Sequence, residues 1–435
     1  MEGAKSVRFE PVRVPVIGSV RVPGSKSITN RALVCAAMAV GQSHLSGVLE
    51  SEDTEVMVRA WQMLGLQLDW NRATCELRIA GCAGHPPNRH AEIHIANSGT
   101  SVRFLTAALA ATQGEYSLDG VPRMRERPIG DLLDGLRAWG VDVRSTNVSR
   151  NDCPPVLLRA AGLRGGRASV RGEVSSQFLS GMLLAAPYSA SDVVLSVDGD
   201  LVSKPYVAMT LAVMHSFGVQ LDAEGYQRFR IPAPQQYHGI DYAIEPDASA
   251  ASYFLATAAI TGGKVRVLGL SRNSLQGDVG FADVLEQMGC SVTWGSDFIE
   301  VSGRAARGID INMNAISDTV QTLSVVALFA EGSTRIRGVS HNRHKETDRI
   351  GDLATELRRL GADIDEQDDG LIIHPRPLRG CELTTYRDHR MAMSLTLAGL
   401  RVPEVRILDP ACTGKTYPKF FEDLGNLLGQ PPQFA

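Results

Sequence analysis

Lys26 lies in the stretch VPGSKSITNRALVCAAMAVG, between a short Gly-containing segment and an apolar segment rich in Ala. A lysine close to Gly and Ser at the start of a helix is typical of sites that bind phosphate groups. A nucleotide-binding P-loop, however, has the pattern G-x-x-x-x-G-K-[ST], whereas here Ser25 separates Gly24 from Lys26. The stretch therefore indicates an anion-binding lysine whose ligand is not a nucleotide.

Lysine is scarce in this chain, because only seven of its 44 basic residues are lysines. Two further lysines lie in polar motifs, Lys345 in HKETDR and Lys415 in TGKTYP. Lys and Arg side chains bind phosphate and carboxylate groups, and carboxylates placed among them can transfer protons. Asp318 and Glu346 are the acidic candidates for that proton transfer, and we expect them to share a site with the lysines.

Each candidate also has a purely structural interpretation. Asp318 and Asp247 both precede apolar helical segments, where an aspartate serves as a helix cap. His341 and His344 have the spacing of a metal-binding pair on a helix, but no further His and acidic ligand set accompanies them. We therefore expect no metal site.

The composition excludes several other classes of function. A formal net charge of −4 argues against general nucleic-acid binding. The seven cysteines are scattered and form no C-x-x-C motif, which favours reduced thiols over disulfides or zinc ribbons. Neither a signal peptide nor an apolar run of membrane-spanning length is present, so we expect a cytoplasmic protein without membrane contacts.

One helix type recurs along the chain and predicts its organisation. Each copy opens on Ser or Asp and continues through Ala, Leu, Ser, Thr and Val, and the copies begin at residues 25, 98, 175, 247, 318 and 388. Because these helices are apolar on all sides, they should be buried. Each interval of 70–77 residues is too long for a simple solenoid repeat.

A second, amphipathic helix follows each copy, ends on Gly and leads into an alternating strand, as in DLLDGLRAWGVDVR. The pattern predicts six βαβαββ-like units in an α/β fold, divided into two domains of three units. We expect one domain to comprise residues 24–242 and the other to comprise residues 1–23 plus 243–435, with the N-terminal strand pairing with the second half of the chain. Helix starts attract anions, so two opposed sets of them would hold a substrate with several negative charges in a cleft between the domains.

The chain resembles the 5-enolpyruvylshikimate-3-phosphate synthases, an enolpyruvyl transferase family of the shikimate pathway. The matching segments follow the family's order over essentially the whole chain: PGSKSITNRAL, NSGTSVRFL, PRMRERPIGDLLDGL, VSSQFLSGMLLAAP, GDLVSKPY, DASAASYFLA, RNSLQGD, HKETDRI, DHRMAM and DPACTGKTYP. The resemblance implies a two-domain inverse α/β barrel that joins phosphoenolpyruvate to the 5-hydroxyl of shikimate 3-phosphate and releases phosphate through a tetrahedral intermediate. It implies no metal or organic cofactor, and we expect a monomer because the internal repeats already supply two opposed faces.

The resemblance also assigns residues. Those matching the family's catalytic groups are Lys26, Asp318, Glu346 and His389. Those matching shikimate 3-phosphate contacts are Lys26, Ser27, Arg31, Ser175, Ser176, Gln177, Ser203, Tyr206, Asp318, His341 and Lys345. Those matching phosphoenolpyruvate contacts are Lys26, Asn97, Gly99, Arg127, Gln177, Arg349, Arg390 and Lys415.

Two departures from the family pattern stand out. The common NAGTAMRPL reads NSGTSVRFL here, so that Phe104 replaces a proline behind the phosphoenolpyruvate pocket. This change predicts either reduced sensitivity to the competing inhibitor glyphosate or a simple repacking of the core. His341 stands where the family often has Asn, which changes one expected substrate hydrogen bond.

Two other functions are compatible with parts of the sequence. A UDP-N-acetylglucosamine enolpyruvyl transferase would share the fold and donor, but it usually carries Cys or Asp in the loop that reads PRMRERP here. An anion-binding protein without enzymatic activity would need neither Asp318 nor Glu346. The sequence therefore favours the shikimate-pathway reaction.

Overall fold

Short strands alternate with helices along residues 3–435, the part of the chain that the computed structural model describes. The strands are Ser6–Arg8 (β1), Ile17–Val20 (β2), Gln42–Ser46 (β3), Leu68–Asn71 (β4), Glu76–Ala80 (β5), His90–His94 (β6), Gln113–Asp119 (β7), Asp142–Ser145 (β8), Val156–Ala161 (β9), Gly166–Arg171 (β10), Val193–Asp198 (β11), Asp222–Glu224 (β12), Arg228–Ile231 (β13), Asp241–Ala243 (β14), Lys264–Leu268 (β15), Ser291–Trp294 (β16), Phe298–Ser302 (β17), Asp310–Asn312 (β18), Thr334–Arg337 (β19), Asp363–Gln367 (β20), Gly370–His374 (β21), Glu382–Leu383 (β22), Arg406–Leu408 (β23) and Gln433–Phe434 (β24). The α-helices are Lys26–Met38 (α1), Glu52–Met63 (α2), Gly99–Ala110 (α3), Gly130–Ala138 (α4), Ser176–Ala185 (α5), Lys204–Ser216 (α6), Ala248–Thr261 (α7), Phe281–Gln287 (α8), Val320–Ala327 (α9), Gly351–Arg359 (α10), His389–Thr396 (α11) and Phe420–Leu428 (α12). Short 3₁₀ helices lie at Met124–Glu126, Ala186–Tyr188, Gly277–Gly280, Asn314–Thr319, Ser340–His344, Leu397–Leu400 and Pro410–Lys415.

Among the described residues, the strands form six four-stranded sheets with one shared topology. In each sheet a parallel pair is followed by two antiparallel strands, as in the order β6-β7-β9-β8, where β6 and β7 are parallel. Some strands come from distant parts of the chain: β14 pairs with β3, β2 pairs with β15, and β1 pairs with both β23 and β24. The N-terminal strands therefore belong to sheets built from the second half of the chain. The result is a mixed α/β fold.

The chain divides into two compact units, each with three of the sheets. One unit is Gly24–Ile244, and the other comprises the residues up to Pro23 together with Glu245–Ala435. We call them the central unit and the terminal unit. The central unit extends two residues beyond the expected boundary at 242, because β14 completes the sheet that contains β3.

The apolar helices α3 and α7 are buried, as their composition predicts. Every residue of α3 and of α7 is buried. Five of the six helices begin after the expected cap: the side chains of Ser25, Ser98, Ser175, Asp247 and Asp388 each accept a hydrogen bond from a backbone N–H in the first turn. These bonds satisfy donors that a helix start leaves unpaired.

The fifth helix departs from this rule. Asp318 lies within the 3₁₀ helix Asn314–Thr319, where Ile316 has non-helical dihedral angles, and α9 begins only at Val320. Its N-cap is Thr319, whose side chain makes no capping hydrogen bond. The interpretation of Asp318 as a helix cap is therefore wrong, and its carboxylate is available for ion pairs.

The second, amphipathic helices end as expected. Five glycines directly after these helices have φ angles between +85° and +110°, namely Gly65, Gly140, Gly218, Gly289 and Gly361. A side chain at such a φ angle would be strained, so glycine allows each helix to stop and the next strand to begin. Within residues 3–435, all helices are too short or too polar to span a membrane.

Candidate active site

Lys26 is the first residue of α1, directly after its cap Ser25. Its Nζ lies 3.2 Å from Oδ2 of Asp53, and the two side chains are only 12% and 3% exposed. Asp53 lies in the first turn of α2, so neighbouring helix starts hold the acid and the lysine. Sequence reasoning missed Asp53, because SEDTEV reads as an ordinary acidic helix start.

We expect Asp53→Asn to reduce kcat roughly tenfold, because Lys26 loses the charged partner that fixes its position. The check is steady-state kinetics of the phosphate release that the family resemblance implies, with phosphoenolpyruvate as the donor and shikimate 3-phosphate as the acceptor. Glu52→Gln is a matched control, since Glu52 is the exposed preceding residue of the same helix. Equal losses in both variants would show that general helix charge matters and the ion pair does not.

Arg31, on α1, is buried and holds two helices together. Its Nε donates to Oγ1 of Thr210 at 2.7 Å, and its guanidinium also donates to the carbonyl oxygens of Ser27 and Tyr206 at 2.9 and 3.0 Å. Burial lowers the pKa of Arg31 to about 10, although the side chain stays cationic at neutral pH. The structure thus brings Ser27, Arg31 and Tyr206 together, and Arg31 is part of the packing between α1 and α6.

Ser203 precedes α6 and adopts a left-handed conformation, with φ 54° and ψ 45°. For a residue other than glycine this conformation costs on the order of 1 kcal/mol, and it persists where the surrounding structure imposes it. Ser203 is buried and separated from Tyr206 by a single helical turn. Both predicted residues therefore lie at the start of one helix.

The starts of α3 and α5 bring a second group together. Arg127 donates from Nη1 to the backbone oxygen of Asn97 at 3.0 Å and to its Oδ1 at 3.3 Å. Gln177 accepts from Nη1 of Arg103 at 2.6 Å. A Cβ atom at Gly99 would lie 2.4 Å from Nη2 of Arg127, so the close approach of this guanidinium requires glycine.

Arg103 also belongs to this group of side chains, although the family resemblance did not assign it to the site. Its Nη2 donates to the carbonyl of Pro128 at 2.7 Å, which ties α3 to the loop that carries Arg127. Ser175 caps α5 by accepting from the backbone of Gln177, and Ser176 opens the helix. In the central unit the predicted side chains therefore cluster at the starts of α1, α3, α5 and α6.

The terminal unit contains a buried ion-pair network around Arg349. The guanidinium of Arg349 contacts three carboxylates, with distances of 2.6 Å to Asp388, 2.9 Å to Glu346 and 3.2 Å to Asp318. The second carboxylate oxygen of Asp318 lies 2.8 Å from Nη2 of Arg390. Asp318 is therefore held between two guanidinium groups, and we call these five side chains the Arg349 network.

Electrostatics keep Arg349 charged. Burial opposes the charged form of Arg349, but the carboxylates of Asp388, Glu346 and Asp318 outweigh that effect and raise its pKa above the ordinary value. Asp388 has a second function, because its Oδ1 caps α11 by accepting from the backbone of Arg390 at 2.8 Å. A fixed positive charge at Arg349 can orient a carboxylate that accepts or gives a proton.

Two histidines flank the Arg349 network. His341, in the 3₁₀ helix Ser340–His344, is buried, and burial together with nearby Lys345 lowers its pKa to about 3. It is neutral at physiological pH, so its ring can take part in hydrogen bonds as the expected Asn would. His389 opens α11, and its Nδ1 lies 3.7 Å from Oδ1 of Asp388.

Lys415 ends the 3₁₀ helix Pro410–Lys415 and is buried. Asp318, Lys345 and His341 are electrostatic neighbours, because both charged groups affect the pKa of the imidazole. Within the described residues 3–435, no set of three or more His, Cys, Asp or Glu side chains is arranged to hold a metal ion. In the terminal unit, acid and base side chains lie beside the buried cations Arg349 and Lys415.

Comparisons with known proteins agree with this chemistry. The family model for EPSP synthase (3-phosphoshikimate 1-carboxyvinyltransferase) matches residues 12–424. The 3-phosphoshikimate 1-carboxyvinyltransferase of Photobacterium profundum is 45% identical over 431 residues, which cover 98% of this chain and 100% of that protein. The enzyme of the same name from Nostoc punctiforme is 46% identical over 426 residues, covering 98% and 100%.

A solved structure of EPSP synthase from Acinetobacter baumannii matches the fold with a TM-score of 0.82 and 26% identity, covering 99% of this chain and 100% of that one. The sequence match and the mixed α/β fold extend over nearly the whole chain. The chain therefore belongs to the EPSP synthase family, the 3-phosphoshikimate 1-carboxyvinyltransferases of the shikimate pathway.

Proposed function

We propose that this enzyme transfers the enolpyruvyl group of phosphoenolpyruvate to the 5-hydroxyl of shikimate 3-phosphate by addition and elimination through a tetrahedral intermediate. The observation that carries the proposal is the placement of Asp318 and Glu346 on the same guanidinium, that of Arg349. Two carboxylates oriented by one buried cation are suited to moving protons at two nearby atoms.

In the addition step, Asp318 accepts the proton of the 5-hydroxyl while Glu346, which takes up a proton when the substrates bind, gives that proton to the methylene carbon of phosphoenolpyruvate. The 5-oxygen then bonds to C2, which becomes tetrahedral. In the elimination step, the new methyl group returns a proton to Glu346, the bond from C2 to the phosphate oxygen breaks, and the proton held on Asp318 leaves with phosphate. The family resemblance also assigns Lys26 and His389 to the catalytic groups, and Nδ1 of His389 lies 3.7 Å from the carboxylate of Asp388.

Cationic side chains supply the remaining requirement, which is stabilisation of the leaving phosphate. We assign phosphoenolpyruvate to Lys26, Asn97, Gly99, Arg127, Gln177, Arg349, Arg390 and Lys415. We assign shikimate 3-phosphate to Lys26, Ser27, Arg31, Ser175, Ser176, Gln177, Ser203, Tyr206, Asp318, His341 and Lys345. The Asn97–Arg127 contacts and the Arg103–Gln177 contact support the first assignment, because they hold polar groups at helix starts.

The phosphate-release assay tests the proposal directly. Wild type should release phosphate only when both shikimate 3-phosphate and phosphoenolpyruvate are present, and Glu346→Gln should release it far more slowly. Release with UDP-N-acetylglucosamine as the acceptor would indicate the related transferase. Tight binding of both substrates without phosphate release would indicate an anion-binding protein.

We further propose that the two units form an inverse α/β barrel of six repeated units and act as a cytoplasmic monomer with the substrates bound between the units. Each unit supplies residues that the proposed reaction needs, and exclusion of water favours such chemistry. We therefore expect the units to close on the substrates. Small-angle X-ray scattering should give a smaller radius of gyration with both ligands, and an unchanged radius would contradict closure.

We also propose that Phe104 reduces sensitivity to glyphosate. Its ring is fully buried in α3, and the guanidinium carbon of Arg31 lies 5.1 Å from the ring centroid. A ring of this size behind the start of α3 can shift the helix toward the phosphoenolpyruvate pocket.

The variant Phe104→Pro should lower the inhibition constant for glyphosate, which is measured by competition with phosphoenolpyruvate. Because proline inside a helix also removes a backbone donor, Phe104→Leu is the matched variant that changes only the side chain. Inhibition constants equal to that of wild type in both variants would mean that Phe104 only repacks the core.

A further inference from the structure

Asp278 is a buried carboxyl group that the proposed mechanism does not use. It lies in the 3₁₀ helix Gly277–Gly280 and is 4% exposed. The hydroxyl of Ser249, in the first turn of α7, donates to its Oδ2. The neighbouring Gln276 fixes this loop on α7, because its Oε1 accepts from the backbone N–H of Ala248 at 3.0 Å.

The charged groups around Asp278 come from several elements. Asp247 caps α7, Asp318 comes from the 3₁₀ helix Asn314–Thr319, and Arg390 comes from α11; all three act electrostatically on Asp278. Other acids nearby are engaged elsewhere. Glu245 accepts from the side chain of Gln276 at 3.1 Å, and on α8 Asp283 pairs at the surface with Arg272 at 2.8 Å. The 3₁₀ helix Gly277–Gly280 packs directly against α7 and against the 3₁₀ helix Asn314–Thr319, so Asp278 lies beside the segments that carry Asp247 and Asp318.

On the basis of the proposed function, we propose that Asp278 is a positioning residue. While Asp278 is uncharged, the guanidinium of Arg390 stays directed at Asp318 and at the anionic substrate; when Asp278 is ionised, it draws that guanidinium away. Arg390 already holds the 2.8 Å contact to Asp318. An ionised Asp278 would attract the same guanidinium and repel both Asp318 and phosphoenolpyruvate. Arg390 is assigned to phosphoenolpyruvate, so this effect should appear in the affinity for that substrate.

The charge on Asp278 changes within the range in which enzymes are assayed. Burial, reinforced by the negative charge of Asp318, raises the pKa of Asp278 to about 7. Below that pH the folded protein keeps the proton, whereas an unfolded chain has lost it above about pH 4. The raised pKa therefore costs stability as the pH rises from about 4 to about 7, and a neutral amide at this position would avoid that cost.

The test compares wild type with Asp278→Asn between about pH 5.5 and pH 8.5. Ionisation of the substrates affects both proteins equally, so the measured quantity is the ratio of kcat/KM for phosphoenolpyruvate, variant over wild type. We expect this ratio to be near one at low pH and to rise roughly threefold to tenfold, with a midpoint close to pH 7. The Tm of the variant relative to wild type should rise with pH in the same direction.

Two further variants sharpen the result. Asp283→Asn, which removes an exposed carboxylate from the same unit, should give a ratio that does not vary with pH. Ser249→Ala removes the hydroxyl that stabilises ionised Asp278. The pH profile of kcat/KM for this variant should therefore have its midpoint at a higher pH than the wild-type profile. This variant also provides the test if Asp278→Asn does not fold. A pH-independent ratio for Asp278→Asn, or an unmoved midpoint for Ser249→Ala, would overturn the inference. Absence of turnover by wild type would instead refute the proposed function.

Discussion

Replacing Asp318 by Asn is expected to lower kcat by roughly a hundredfold to ten-thousandfold, the range typical for loss of a general base. The amide keeps the shape of the side chain but cannot accept the proton of the 5-hydroxyl. The carboxylate oxygens of Asp318 lie 3.2 Å from Arg349 and 2.8 Å from Arg390, so its position is fixed before substrate binds. The KM for each substrate should change much less than kcat, because the main loss is in proton transfer.

Phosphate release under saturating substrates gives kcat, and the Tm of the variant shows whether the fold is intact. Asp283→Asn is the control, since it removes a carboxylate from an exposed ion pair of the same unit and should leave kcat unchanged. If Asp318→Asn retains most of its kcat while remaining folded, Asp318 is not the base, and the proton must pass to another group.

The helices and the points at which they end could be predicted from local sequence. Apolar composition and Ser or Asp caps identify helices such as α3 and α7, and a Gly after each amphipathic helix marks where it ends. These signals are local, because each depends on residues within one or two turns. Strand partners such as β14 with β3 are far apart in the chain, so pairing depends on tertiary packing that no local pattern encodes.

The sequence allowed candidate residues to be selected by their type, but it did not show which of them contact one another. Lys26, Asp318 and Glu346 could be selected because charged side chains are unusual next to buried helices. The ion-pair partner of Lys26 could not be selected in this way, since Asp53 lies in the next helix among other acidic residues. The position of Asp318 in the sequence also suggested a helix cap, because a cap and a residue that precedes an interrupted helix have the same sequence pattern. What distinguishes them is Arg349, whose contact with Asp318 spans 31 positions in the chain.

Replacing Arg349 by Met is expected to destabilise the protein by about 3–5 kcal/mol at neutral pH, the range found when one partner of a buried ion pair is removed. For a unit of this size such a loss lowers Tm by on the order of 10 °C. Arg349 is the cation that contacts Asp318, Glu346 and Asp388, and its side chain is only 2% exposed. Without it, three carboxylates lie close together, and the 2.8 Å ion pair between Arg390 and Asp318 does not replace the charge that Arg349 supplied to Glu346 and Asp388.

The pH dependence separates charge from packing in this variant. A guanidinium stabilises carboxylates by charge only while they are ionised, so we expect the contribution of Arg349 at neutral pH and expect it to weaken in acid. The Tm difference between wild type and Arg349→Met should therefore be smaller in acid than at neutral pH. Arg343→Met is the matched control, because Arg343 makes partly exposed ion pairs with Asp348 and Glu366 and should cost less than about 1 kcal/mol. A Tm difference for Arg349→Met that stays constant with pH would mean that its packing stabilises the unit, and that the Arg349 network does not hold Asp318 and Glu346 by charge.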